Sequence, residues 1–314
     1  MKETSYLPEG RLIVKAENEL YTSSLKMLER AMKEETILEG IAEACVGEGL
    51  DLIVKLGAFR GIIPRDEAAL EGDGKSAPRD ISVITRVGRP VCFTVTDIIS
   101  ENGNYTPVLS RKAAQKKCRN EYIANLAPGD VTDARITHLD PFGAFADIGC
   151  GIVSLLCVDC ISVSRISHPS ERLKKGEDIK AVVKSIDPDS GRIYLTLREL
   201  LGTWEENAAS FEIGSTVAGI VRGIEDYGIF VELSPNLAGL AERKSGVAEG
   251  DVCAVYIKNI IKERMKVKLA IIDSYAKDPD APPLKYYTDT SKVRHIDRWR
   301  YSPEGCAKII ETVF

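Results

Sequence analysis

Leu139-Asp-Pro-Phe-Gly-Ala-Phe-Ala-Asp-Ile148 and Ile224-Glu-Asp-Tyr-Gly-Ile-Phe-Val-Glu-Leu233 are two copies of one pattern, with Tyr227 standing 85 residues after Phe142. After the glycine each copy alternates. Ala144, Ala146 and Ile148 therefore share one strand face with Phe145 on the other, and Ile229, Val231 and Leu233 face away from Phe230. The apolar triplets mark the core side, so the two phenylalanines point towards solvent. A ring held there beside Phe142 or Tyr227 adds little to a bare fold, but it offers a nucleobase a surface to stack on. The competing reading packs each phenylalanine on a connector helix or a neighbouring repeat, and lets Phe142 and Tyr227 cap a barrel end. Gly143 and Gly228 permit a bulge or a close backbone approach where the strand curls.

The repeat extends outward from these stretches, since Gly214 also follows Gly129 by 85 residues. Ile179, Ala181 and Val183 alternate, as do Ile193, Leu195 and Leu197 across Asp187-Pro-Asp-Ser-Gly191, which predicts a β-hairpin. The later copy is shorter, and its missing part falls between Leu240 and Gly250, opposite Cys157 to Lys175. Towards the start, Leu52, Val54 and Leu56 alternate, Arg60-Gly-Ile-Ile-Pro64 reads as a strand and Val91 to Ile99 as another, with Glu71 to Pro78 a loop.

Five strands in roughly 70 residues suit a small closed Greek-key barrel of the oligonucleotide-binding (OB-fold) type. The expected fold is all-β, with three tandem five-stranded barrels joined by short helical linkers behind an N-terminal helix. Residues 1–35 form the arm and helix, striped by Tyr21, Leu25, Leu28 and Met32. Residues 36–111 form a divergent first barrel, 112–126 a basic helical linker and 127–200 the second barrel. Residues 201–212 form a second helical linker, 213–273 the third barrel and 274–314 a tail. Asp278-Pro-Asp-Ala-Pro-Pro283 leads into that tail, whose Arg294, Arg298, Trp299 and Arg300 fit no repeat.

At 314 residues, 44% hydrophobic and 28% charged, the chain can bury several cores. The stretch from Met1 to Gly10 has no secretory apolar run, and nothing approaches the roughly 18 apolar residues of a membrane span, so a cytoplasmic setting without membrane contact is expected. Eight cysteines without a secretion signal read as reduced thiols. The net charge of −5 argues against wrapping of duplex DNA, which depends on many cations meeting phosphates. Two local runs are basic: Arg111, Lys112, Lys116, Lys117 and Arg119, and Lys258, Lys262, Arg264, Lys266 and Lys268. Either can guide a single strand; either can equally be a solvated face.

Cys157-Val-Asp-Cys160, with Cys150 and His168 near it, has the spacing of half a zinc site, but there is no second Cys-x-x-Cys and the strand carrying Cys157 is an ordinary one. No Gly-rich phosphate loop and no nucleophile-base motif is present, and His138, His168 and His295 lie at no metal-binding spacing. Neither catalysis nor a metal or cofactor is expected.

The residues resemble the S-one (S1) repeat of the bacterial small-subunit ribosomal protein S1 family, found also in polynucleotide phosphorylase and several ribonucleases. The likeness runs from Pro128-Gly-Asp-Val131 through Phe142-Gly-Ala-Phe145 and His168-Pro-Ser-Glu-Arg-Leu-Lys-Lys-Gly176 to Asp187 and Arg192-Ile-Tyr-Leu-Thr-Leu197. The connector with Trp204 and Phe211 is similar to the ribosomal protein's linkers. Thr36-Ile-Leu-Glu-Gly40, Arg60-Gly-Ile-Ile-Pro-Arg65 and Leu109-Ser-Arg111 resemble a divergent first repeat.

In that family RNA is held by two strand-two aromatics, a strand-three histidine, and an aspartate and arginine around the last hairpin. The resemblance puts these roles on Phe142, Phe145, Cys157, Asp187 and Arg192 in repeat two, and on Tyr227, Phe230, Glu242, Ile261 and Lys266 in repeat three. Cys157 is a weak donor where the histidine stands, and Glu242 repels phosphate. Glu48-Gly-Leu-Asp51 replaces the aromatic pair in repeat one, which implies a protein contact there. The expected function is binding of single-stranded RNA, messenger RNA in particular, in a ribosomal S1-like role in translation. Stacking would come from the four rings and phosphate attraction from Arg192, Lys258, Lys262, Lys266 and the 111–119 connector, with the small ribosomal subunit or another protein as partner. The alternatives are a protein-interaction scaffold with weakened RNA affinity, or an accessory subunit of an RNA-processing complex.

Overall fold

The computed structural model describes residues 6–71, 78–275 and 284–314, and its strands close three five-stranded barrels. Most of the loop expected over Glu71 to Pro78, and the stretch from Asp278 to Pro283, lie outside the described residues. The chain divides into two compact units. One holds residues 1–126 with Asp133–Arg135 and Asp147–Val153; the other holds Ala127–Thr132, Ile136–Ala146 and Ser154–Phe314.

In the first unit, helices α1 (Ala16–Thr22) and α2 (Leu25–Glu34) precede strands β1 (Leu38–Val46), β2 (Asp51–Leu56) and β3 (Phe59–Ile63), helix α3 (Asp80–Ile84), strands β4 (Pro90–Glu101) and β5 (Asn104–Ser110), and helix α4 (Arg111–Glu121). The strands close in the order β1-β2-β3-β5-β4, with a parallel contact between β3 and β5 where Ile62 faces Val108. Leu38, Leu52, Val54, Ile63, Phe93 and Leu109 fill the barrel, and Leu28 and Ala31 of α2 pack against them. The single N-terminal helix expected from the apolar stripe is two helices. Thr22 Oγ1 donates to Asn18 O at 3.0 Å, Ser23 Oγ donates to Leu20 O at 2.7 Å, and Ser24 is extended at φ −153°. Consecutive hydroxyls compete for backbone carbonyls and end α1 before the stripe is complete.

The arm ahead of α1 is anchored by buried charge. Glu9 accepts hydrogen bonds from Arg111 Nε at 2.7 Å, Arg111 Nη2 at 3.0 Å and the Cys92 N–H at 3.1 Å. Burial pushes the Glu9 carboxyl up, but the charge and hydrogen bonds of Arg111 outweigh it and hold the group below its ordinary value. Asp147 accepts from the Glu9 N–H at 2.7 Å, and burial, with the Glu9 charge behind it, raises Asp147 to about 7. Burial likewise raises Glu39, which accepts from the N–H groups of Gly10 and Ile13, to about 7.

The repeated barrels lie mostly in the second unit. Strands β6 (Val131–Asp140), β7 (Gly143–Asp147), β8 (Val153–Cys157), β9 (Asp178–Ile186) and β10 (Ile193–Thr196) close in the order β10-β8-β7-β6-β9. Helix α5 (Trp204–Ala208), capped by Thr203 and Glu206, leads to β11 (Thr216–Glu225), β12 (Gly228–Ser234), β13 (Leu237–Ala241), β14 (Val252–Ile261) and β15 (Lys266–Tyr275), ordered β11-β12-β13-β15-β14. The predicted hairpin is present, with Ile193 opposite Ile186 and Leu195 opposite Val183. Arg172, which precedes β9, is fully buried against Glu232 of β12, whose carboxylate also accepts from Arg222 Nε at 2.7 Å.

The tail that fitted no repeat belongs to the same core. Strands β16 (Arg298–Arg300) and β17 (Glu311–Val313) pair, Trp299 and Tyr301 pack with Trp204 and the third barrel's interior, and Tyr301 Oη donates to Asn236 O at 2.6 Å. Among the described residues no helix is long and apolar enough to cross a membrane.

Candidate nucleic-acid interface

Each repeated motif builds the same local geometry from its glycine outward. A Cβ at Gly143 would sit 2.5 Å from Leu156 O, and one at Gly228 would sit 2.6 Å from Ala241 O. Only a hydrogen fits, so β7 and β12 begin hard against the next strand, and the residue before each glycine is displaced off the strand end. Phe142 is 56% exposed and Tyr227 69% exposed, while Phe145 and Phe230 are half-buried beneath them. The rings meet edge to face: Phe142 and Phe145 with centroids 5.8 Å apart at 89°, Tyr227 and Phe230 at 6.0 Å and 88°. Ala144, Ala146, Ile148, Ile229 and Val231 are buried on the opposite face.

Strand register carries each face sideways. Phe230 pairs with Leu240, Leu240 with Lys268, and Lys268 with Asn259, so a lysine lies on the row of the ring in repeat three. In repeat two the matching parallel contact sets Tyr194 beside Leu155. The sequence reading passed over Tyr194, and it counted Lys268 only as part of a basic run. The signal for Tyr194 is the alternation of Ile193, Leu195 and Leu197, and that for Lys268 is its place between the buried Val267 and Leu269; each spacing turns the intervening side chain away from the core.

His138 was also missed. Its ring lies 6.2 Å from that of Phe145 at 28°, and its Nε2 is 3.2 Å from Asp140 Oδ1. Simple alternation from the buried Thr132, Ala134 and Ile136 assigns His138 to the interior, yet its side chain is 62% exposed. The same change of side occurs in β11, where a register shift between Val221 and Gly223 brings Gly223 opposite Phe230. In β11 that shift is a bulge, which inverts the parity, and nothing in composition announces it.

The remaining predicted contacts are less uniform. Cys157 is a half-buried free thiol at the end of β8. The Asp187 carboxylate is spent on its own turn, accepting from Ser190 Oγ at 2.6 Å and the Asp189 N–H at 3.0 Å, bonds that hold it below its ordinary value. Arg192 and Lys266 are exposed beside their hairpins. Lys258 is paired with Glu242 at 2.8 Å, and Lys262 is paired with Glu205, which raises the lysine's pKa. A phosphate would have to displace those carboxylates.

The 111–119 connector departs further from expectation as a phosphate guide. Arg111 is only 1% exposed, committed to Glu9, and Lys117 donates to Glu35 O at 2.8 Å with the Glu35 carboxylate 3.9 Å away. Helix α4 turns Arg111, Ala114, Gln115 and Cys118 into its unit, so one cation of the basic run faces the interior.

All eight cysteines are free, and Cys160 accepts from Lys184 Nζ at 3.0 Å. Among the described residues no group of three or more His, Cys, Asp or Glu side chains is placed to hold a metal.

These barrels and rings define a tandem OB-type protein with an outward aromatic pair on two repeats. The model of the S1 RNA binding domain matches residues 125–198. The small ribosomal subunit protein bS1 of Staphylococcus aureus (strain COL) is 31% identical over 222 residues, covering 69% of this chain and 54% of that protein. The bS1 protein of Mycobacterium tuberculosis (strain ATCC 25618 / H37Rv) is 28% identical over 297 residues, covering 88% of this chain and 59% of its own length. A solved multidomain protein with nucleic acid binding domains from Streptococcus pneumoniae is 13% identical, covers 76% of this chain and 73% of its own, and has a TM-score of 0.24. The chain belongs to the S1 domain family, and it spans about half the length of the curated relatives it matches.

Proposed function

We propose that repeats two and three bind single-stranded RNA, messenger RNA in particular, in a ribosomal S1-like role in translation. The observation that carries this reading is the pair of edge-to-face ring clusters, at 5.8 and 6.0 Å, built alike on two barrels with Phe142 and Tyr227 exposed to solvent. The matched family and the named relatives are consistent with it. Bases stack on Phe142, Phe145, Tyr227 and Phe230, while Arg192, Lys266 and Lys268 meet phosphate directly and Lys258 and Lys262 do so after exchanging their carboxylate partners. Sequence preference is low, because every base has a stackable face. Residues 36–111, 127–200 and 213–273 are the three repeats in this reading. Repeat one has the turn Glu48-Gly-Leu-Asp51 in place of the rings and contacts protein, with the small ribosomal subunit as the partner. The role is one of binding, in the cytoplasm, without a catalytic step.

Titration of labelled single-stranded RNA against the wild type and the Phe145→Ala/Phe230→Ala double variant tests the proposal. At about 1–3 kcal/mol per stacked base, the double variant loses at least tenfold in affinity. For each phosphate neutralised, log K falls by about 0.7 per decade of salt. Unchanged binding by the variant refutes the stacking site. A wild type that binds no RNA favours the second reading, a protein-interaction scaffold, which is supported by the net charge of −5 and by the carboxylates paired with Lys258 and Lys262.

A further inference from the structure

The two aromatic faces are related by the 85-residue offset that carries Phe142 to Tyr227 and Phe145 to Phe230, and the same offset carries His138 to Gly223. Repeat two therefore places an imidazole where repeat three places no side chain. The His138 ring is near parallel to Phe145, at 28° and 6.2 Å, while Gly223 stands opposite Phe230 and a Cβ built on it meets nothing within 4 Å. We propose that His138 is a third ring of the RNA-stacking platform in repeat two, and that its absence from repeat three makes repeat two the tighter of the two RNA sites. The inference rests on the RNA-binding reading above and adds a contact residue to it.

A structural role as a cover for Phe145 does not account for His138. Phe230 is half-buried in the same way as Phe145 with open space in place of the imidazole, so the fold does not require a cover. The ring remains largely exposed, with a broad face available, and His joins Phe, Tyr and Trp among the side chains on which unstacked RNA bases lie. Asp140 holds Nε2 at 3.2 Å and orients the ring at little entropic cost. The same carboxylate repels phosphate, which assigns His138 to the base and not to the backbone.

The test compares binding of a labelled oligouridylate to the full chain and to three variants. His138→Ala removes the ring and weakens binding on the order of tenfold, whereas His138→Phe keeps a ring and stays within about twofold of the wild type. Gly223→His builds the missing ring into open space and tightens binding by about threefold or more. A His138→Ala chain that binds as the wild type overturns the proposal, as does a His138→Phe chain that loses as much as His138→Ala. A Gly223→His chain that is folded by circular dichroism yet binds no tighter also overturns it. Failure of the wild type itself to bind is a different result, and it removes the RNA reading as a whole.

Discussion

The first barrel and the two that follow close their strands in equivalent orders, but the first has charged groups where the other two carry rings. In the first unit the charged groups go inward: Glu9 and Arg111 form a buried bidentate pair, Glu39 holds the N–H groups of the arm, and Asp51 accepts from the Arg65 N–H at 2.9 Å where the other repeats carry rings. In repeats two and three it is apolar surface that goes outward, as Phe142 and Tyr227, with small or branched residues behind it. A closed barrel is stable with either arrangement because its core needs only one face of each strand. The other face is available for holding a terminus or for meeting a ligand.

The largest expected effect breaks the inward side of this comparison. Glu9→Ala leaves the buried Arg111 guanidinium without its carboxylate and costs about 3–5 kcal/mol in chemical denaturation, with the loss confined to the first unit. Next, Phe145→Ala alone weakens RNA binding by about 1–3 kcal/mol while shifting the unfolding midpoint much less, because the ring is half-exposed. If affinity and stability fall together, the ring is packing and the contrast between the barrels is lost.

A third expectation concerns pH. Glu39 and Asp147 are each raised to about 7 from ordinary values of 4.5 and 3.8, so between those limits the folded state binds protons that the unfolded chain releases. Their contribution is therefore greatest in mild acid and falls as pH rises through 7, on the order of 1 kcal/mol, whereas the depressed Glu9 acts in the reverse sense and loses its contribution only below its ordinary value of 4.5. Thermal melts followed across that range should give a first unit more stable near pH 5.5 than near pH 8. The smallest effect lies on the outward side: Glu242→Gln frees Lys258 and removes a repelling carboxylate, raising RNA affinity by about twofold at low salt and less at high salt.

Much of this was legible in residue order. The alternation after Gly143 and Gly228 identified the core face of β7 and β12, and with it which rings are directed out, because side-chain period in a strand is fixed by backbone geometry. The turn from Asp187 to Gly191 announced its hairpin through its own side chains, and Asp187 is indeed occupied in holding it. His138 escaped because the alternation of β6 lapses after Ile136 without a compositional sign. The break at Ser23 and Ser24 escaped because the apolar stripe continues across it at helical spacing.

Residue order alone was enough to read the three barrels, the repeat offset and the outward rings, since each is written in strand periodicity and in the repeat itself. It took the folded chain to show which basic residues remain available, that Arg111 is spent inside on Glu9, that Trp299 and Tyr301 of the tail complete the third barrel's core, and that His138 lies against Phe145. Charge and aromaticity are properties of a residue, but burial and partnership are set by groups far away along the chain, and no local pattern encodes them.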